Sequence, residues 1–118
     1  MSNREAAHDL VHLVTNGKLL EAFDKYYDEG VVMQENGKDP MVGKTANRVR
    51  EEEFVGSIEA VHSMGAPEIL VDGDQVVIHW IGDVTLKGGS RITMDQLAQQ
   101  TWKQGKIVRE RFVYDTAA

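Results

Sequence analysis

The chain has 118 residues, with no cysteine and only two prolines. Without cysteine there is no disulfide, no thiolate metal site and no cysteine nucleophile, and such a composition suits a reducing cytoplasm. Positive charge is also short: 13 Lys and Arg stand against 19 Asp and Glu, a formal net charge of −6. A nucleic-acid surface needs clustered cations to displace counterions. The densest basic spots, Arg48–Arg50 and Arg109–Arg111, are interrupted by Val49 and Glu110, so no nucleic-acid partner is expected. No stretch approaches the roughly 20 apolar residues of a membrane span. The opening MSNREAAHDL lacks a basic region followed by an apolar run, so neither a secretory leader nor membrane association is expected.

What is present is a core's worth of apolar residues, 42% of the chain. That is enough for one domain over residues 1–118 and too little for two. Ser2 and Glu5 have the spacing of a capping box, and Ala6, Leu10, Leu13 and Val14 share one helical face behind it. Gly17 stops that helix. Leu19, Phe23 and Tyr26 form a second helical stripe, ended near Gly30. Val31-Val32-Met33 reads as a short buried strand, and GKDPMVG around Pro40 as a loop. A third helix is expected from Thr45, with Val49, Phe54, Ile58 and Val61 inward and Glu51-Glu52-Glu53 mostly on its wet side. Gly65 and Pro67 would end it.

From Glu68 onward the pattern is strand, turn, strand. The runs 68–71, 75–86, 91–102 and 106–114 are separated by glycine-bearing turns at 72–74, 87–90 and 103–105. Three helices followed by a meander predict an α+β domain, with the helices on one face of a curved, mostly antiparallel sheet. Alternation sorts the side chains. An inward Trp80 brings Ile78, Gly82 and Val84 with it and turns His79, Ile81 and Asp83 out. An inward Trp102 brings Met94, Gln96, Ala98 and Gln100. An inward Phe112 brings Glu110 and Tyr114 and turns Arg109, Arg111 and Val113 out. A bulge would flip part of any set.

The element order resembles the NTF2-like superfamily, and within it the SnoaL-like domain proteins. The markers are VVMQE at 31–35, Gly43-Lys44 before the third helix, Asp83-Val84-Thr85, Met94-Asp95-Gln96, and Gly105-Lys106-Ile107-Val108 leading to Glu110-Arg111-Phe112. Their order and spacing carry the resemblance, which spans nearly the whole chain. It implies a cystatin-like cone with an interior pocket, and dimers formed through the outer sheet face. The superfamily includes ketosteroid isomerase, scytalone dehydratase, limonene epoxide hydrolase and polyketide cyclases, so fold leaves function open.

Glu35 ends the first strand, where resemblance to the isomerase implies a general-base carboxylate. A carboxylate at the mouth of an apolar cavity gains proton affinity, which suits a base working near neutrality. The alternative is a solvated strand end before Asn36-Gly37. Gln96, Gln100 and Tyr114 are candidates to hydrogen-bond a ligand, or else to face solvent. Tyr26, Trp80, Trp102 and Phe112 are candidates for apolar contact, with core packing as the alternative. An inward Glu110 needs a partner; His62 is one, and a structural ion pair or a bulge returning Glu110 to water is the other reading. A one-residue slip would bring Asp95 inside, where the isomerase keeps a protonated aspartate. The isomerase's first-helix tyrosine has no counterpart in residues 1–16, and Tyr26 or Tyr27 on the second helix could replace it only with different geometry. His8 and His12 lack a third ligand and the intervening glutamate of a zinc helix, so no metal is expected.

Three functions follow. One is a cofactor-independent isomerase, cyclase or dehydratase-like enzyme on an apolar carbonyl compound. Another is a non-catalytic binder using the same pocket. The third is a dimeric interaction module working through His79, Ile81, Leu97 and Val113. A homodimer through that outer face is expected in each case.

Overall fold

In the computed structural model, which describes residues 1–116, the chain forms three helices on one six-stranded sheet. The elements are α1 (Asn3–Thr15), α2 (Leu19–Tyr26), β1 (Tyr27–Glu35), β2 (Met41–Val42), α3 (Lys44–Ser57), β3 (Ile58–Asp72), β4 (Gln75–Leu86), β5 (Arg91–Lys103) and β6 (Lys106–Val113). The strand order is β2-β1-β6-β5-β4-β3. Only β1 and β6 run parallel; every other pair is antiparallel. No helix among the described residues is long and apolar enough to cross a membrane.

The Ser2 capping box is formed in both directions. The β5–β6 turn puts Gln104 at φ 51° and Gly105 at φ 77°. Two consecutive positive φ values match the right-handed twist of the flanking strands. The alternation of β4 follows the sequence pattern: Val76, Ile78, Trp80, Gly82 and Val84 are buried. On β5, Ala98, Gln100 and Trp102 are buried and Asp95 is exposed. The slip that would bring Asp95 inside does not occur, and its carboxylate instead meets His79 Nε2 at 2.7 Å on the outer face.

Three expectations are corrected. The second helix, expected to end near Gly30, ends at Tyr26, and β1 starts at Tyr27. Met41–Val42, expected in a loop, pairs with Val32 and Met33. The third helix stops at Ser57, and residues 58–72 form a long strand against β4. Ile58 and Val61 continued the helical spacing of Phe54, but pairing with β4 prevails over that local pattern. Val61 is accordingly exposed, and Val49, expected inward, lies on the exposed side of α3. Pro67 is tolerated because β3 is an edge strand, and it sits at a register irregularity between Gly65 and Glu68.

β6 carries the irregularity that matters most. Trp102 pairs with Ile107 and Thr101 with Arg109, so Val108 is an extra residue. Ile107 and Glu110, three apart, are both buried. The bulge restores the inward phase for Glu110.

The register of β4 and its edge neighbour is open to test. Ile78→Ala should lower unfolding free energy by about 2–5 kcal/mol, because Ile78 is fully buried. Leu70→Ala on β3, whose side chain is 61% exposed, should cost less than about 0.5 kcal/mol. Equal costs in urea titrations would contradict the register.

Candidate functional site

The helices and the concave sheet face enclose a cavity of about 310 Å³. Its apolar wall comes from Leu10 and Val14 of α1, Leu19, Ala22 and Phe23 of α2, Phe54 of α3, and Met64, Trp80, Met94 and Phe112 of the sheet. Gly82 leaves room on the sheet side. A Cβ there would stand 3.0 Å from Met94 Cε and 3.1 Å from Met64 Cε, so the two thioether ends occupy that place.

The polar wall is built from Tyr27, Glu35, Arg50, Glu51, Gln96 and Glu110. Glu110 is 1% exposed, and both its oxygens are engaged. Gln100 Nε2 donates to Oε2 at 2.6 Å, and the Tyr27 hydroxyl is hydrogen-bonded to Oε1. Trp102 Nε1 in turn donates to Gln100 Oε1 at 2.9 Å. Burial pushes the Glu110 carboxyl up to about 7; its two hydrogen bonds oppose the shift and the nearby Glu51 charge adds to it. Burial, then the Glu110 and Glu51 charges, drive the Tyr27 hydroxyl well above its ordinary value.

Glu51 is the second unusual carboxyl. Burial raises it to about 7, against the pull of Arg50 and with the help of the Glu35 charge. It has neither a hydrogen bond nor an ion pair with the described residues. Glu35 is held differently: Arg50 Nη2 stands 3.3 Å from Oε2, and the Tyr114 hydroxyl donates to Oε1 at 3.3 Å. Asn36 fixes that corner, accepting from the Tyr114 N–H at 2.9 Å and donating its own N–H to the Phe112 carbonyl at 2.7 Å. α3 is anchored by Arg48, which forks onto Asp24 of α2 at 2.8 and 3.0 Å. That anchor aims Arg50 and Glu51 at the cavity.

Of the residues expected at a site, Glu35, Trp80, Gln96, Glu110 and Phe112 line the cavity. Tyr26 does not: its hydroxyl bonds Asp9, and its ring packs 5.6 Å from Trp102. Trp102 and Gln100 are fully buried behind the wall, and Tyr114 stands behind Glu35. His62 does not reach Glu110; its Nε2 meets Thr85 Oγ1 at 2.7 Å. Sequence reasoning put Glu51 on the wet side of α3. Its spacing from Asn47 and Phe54, four and three residues away, was the signal that it shares their inward face. Tyr27 was tied to the second helix, but it opens β1, so its ring turns with the strand.

The SnoaL-like domain family model matches residues 1–114. The chain belongs to the SnoaL-like domain family. A crystal structure from Mesorhizobium loti, of a protein named for SnoaL-like polyketide cyclases, is 33% identical. It has a TM-score of 0.85 and covers 97% of this chain and 100% of its own. TerC co-crystallised with polyporic acid matches at 19% identity and TM-score 0.77, over 97% of this chain and 92% of that one. A ketosteroid-isomerase-like protein from Catenulispora acidiphila, in complex with trimethylamine, matches at 14% identity and TM-score 0.77, over 98% of this chain and 88% of that one. The latter two establish the shared fold of this SnoaL-like domain. No curated protein matches the sequence.

The two raised carboxyls of this SnoaL-like domain set a stability window. Their folded values near 7 exceed the ordinary carboxylate value of 4.5, so between pH 4.5 and 7 the folded state binds more protons than the unfolded one. Stability therefore falls as pH rises through that range. Thermal melts from pH 5 to 8 should show a declining Tm, and the slope should flatten in Glu51→Gln/Glu110→Gln. A wild-type Tm that climbs steadily over the same interval would refute the assignment.

Proposed function

We propose that this SnoaL-like domain catalyses cofactor-independent proton transfer on an apolar small molecule bearing a carbonyl group. The observation that carries the reading is the meeting, in one largely apolar cavity, of two carboxyls held near pKa 7 with a tyrosine hydroxyl. A base works best when its affinity matches the working pH, and burial supplies that match. The cavity volume lies at the small end of metabolite sites.

Glu51 is the proton carrier in this reading, since no protein donor holds its charge. Its carboxylate removes a proton from the carbon next to the carbonyl. The C–H electron pair becomes the new C=C bond, the carbonyl π pair moves to oxygen, and the resulting enolate is held by the Tyr27 hydroxyl and the Gln96 amide. Glu51 then returns the proton to the same carbon or to a conjugated one, so atoms and charge balance without a co-reactant. Glu35, the base implied by resemblance, shares the role through Arg50: its ion pair keeps that guanidinium beside Glu51 without letting it close onto the Glu51 carboxyl. Trp80 and Phe112 give the ligand its apolar contact.

The test is deuterium uptake from D2O into a panel of aryl and alicyclic ketones, followed by NMR. The protein should accelerate exchange for the ketones that bind, with a rate that climbs from pH 5 toward about 7 as Glu51 loses its proton. Glu51→Gln should reduce the rate by about 10²–10⁴-fold while affinity holds. Binding without accelerated exchange would replace the enzyme reading with a non-catalytic binder.

Assembly belongs to the same reading. Ile81, Leu97 and Val113 are each more than 40% exposed on the outer sheet face, and Leu97 stands opposite both His79 and Val113. Exposed apolar side chains on one sheet face, with Leu97 and Val113 directly opposite each other, support a two-fold dimer through that face. Light scattering should give a dimer for the wild type and a monomer for Leu97→Arg/Val113→Arg. A monomeric wild type at 100 µM or about that concentration would remove the dimer from the reading.

A further inference from the structure

Glu110 has two oxygens held by two different groups, and one of those groups cannot turn. Gln100 Nε2 donates to Glu110 Oε2, while Trp102 Nε1 donates to Gln100 Oε1. An indole N–H is a donor only. The amide oxygen must therefore face the indole, and the amide NH₂ must face Glu110. A donor aimed at Oε2 leaves no acceptor there for a carboxyl hydrogen.

When Glu110 gains a proton, that proton sits on Oε1 and points at the Tyr27 oxygen. The hydroxyl that donated to the charged carboxylate now accepts from the neutral acid. Its own hydrogen must leave the Glu110 side. Tyr27 lines the cavity, so a ligand oxygen there can take that hydrogen.

We infer that Gln100, locked by Trp102, is a positioning residue: it directs the Glu110 proton to Oε1 and so makes Tyr27 a hydrogen-bond donor to a neutral ketone or aldehyde oxygen in the cavity. The ligand half of this inference rests on the carbonyl reading above; the proton half rests on the hydrogen-bond geometry alone. The titratable groups facing Glu110 are Tyr27 from β1 and Glu51 from α3, with Glu35 and Arg50 acting on Glu51. Tyr27 keeps its hydrogen across the window because its own affinity lies well above the ordinary value.

Carboxyl ¹³C NMR of glutamate-labelled protein reads the proton directly, with Glu110 assigned by the signal lost in Glu110→Gln. The wild-type midpoint should lie near 7. Gln100→Met removes a donor to the charged form, so the midpoint should rise by about one to two pH units. Trp102→Phe keeps the ring in the core but frees the amide to turn its oxygen toward Oε2, and the midpoint should rise again. The second readout is the infrared carbonyl band of bound 2-acetonaphthone. In wild type the band should lie at lower frequency below the Glu110 midpoint than above it. That pH dependence should vanish in Tyr27→Phe and weaken in Trp102→Phe.

A Glu110 midpoint unmoved in both Gln100→Met and Trp102→Phe overturns the positioning role. So does a wild-type carbonyl band that ignores pH. Midpoints that move as stated, with no ketone bound by any variant, uphold the proton placement and sink the carbonyl reading of the cavity.

Discussion

A carboxyl group enclosed by protein is the constraint around which this fold is arranged. Glu110 reaches the interior only because Val108 is an extra residue in β6. In a regular strand, an inward Ile107 would turn Glu110 outward. Its partners come from both neighbours of β6, Tyr27 from the parallel strand β1 and Gln100 from the antiparallel strand β5. A slip on either side would remove a hydrogen-bond partner from a buried carboxyl, which costs more than a surface bond gains. The single parallel pairing in the sheet is thereby tied to the site it carries. Trp102 extends the constraint one layer deeper, since its indole N–H fixes which way the Gln100 amide faces.

The electrostatic consequence is an interior that resists ionisation. Three carboxyls face one cavity and, among the described residues that line it, only Arg50 offsets them. Protonation relieves the conflict more cheaply than bringing in a second cation, and so Glu51 and Glu110 hold their protons up to about pH 7. An inward-facing carboxyl with no protein partner lowers stability. Features that break a local rule in this way concentrate at working sites. The exposed carboxylates show the opposite behaviour: Arg48 beside Asp24 and Arg91 beside Asp83 hold those carboxyls below their usual range. Acid and neutral pH thus act on different parts of the molecule.

Much of the fold was legible in the chain because period-two alternation is strong where one sheet face is buried. Trp80, Ala98, Gln100 and Trp102 fell on their expected side for that reason. The boundary between α3 and β3 was not legible. Ile58 and Val61 satisfy a helical period and a strand equally, and only pairing with β4 decides. Glu51 was misplaced for a related reason: a run of three glutamates reads as a wet face, yet one of them must follow Asn47 and Phe54 around the helix. Inward Glu110 was legible, but its partners were not. Hydrogen bonds between residues 83 positions apart leave no trace in local spacing.

Glu35 shows how position and environment divide a role between carboxyls. Its place at the end of β1 is the one the family resemblance implies for a base. Here both its oxygens are engaged, by Arg50 and by the Tyr114 hydroxyl. In the proposed reaction, using it as the base would mean breaking an ion pair and a hydrogen bond at each turnover. Glu51 has no such bond to break, and its charge is already disfavoured by burial. Proton affinity and freedom from partners point to the same residue, one turn of helix before Phe54. Glu35 then acts on Glu51 from a distance, raising its affinity through like charge while drawing Arg50 toward itself. The positions of the two carboxyls follow from the fold. Their division of labour in the proposed reaction follows from which of them the guanidinium reaches.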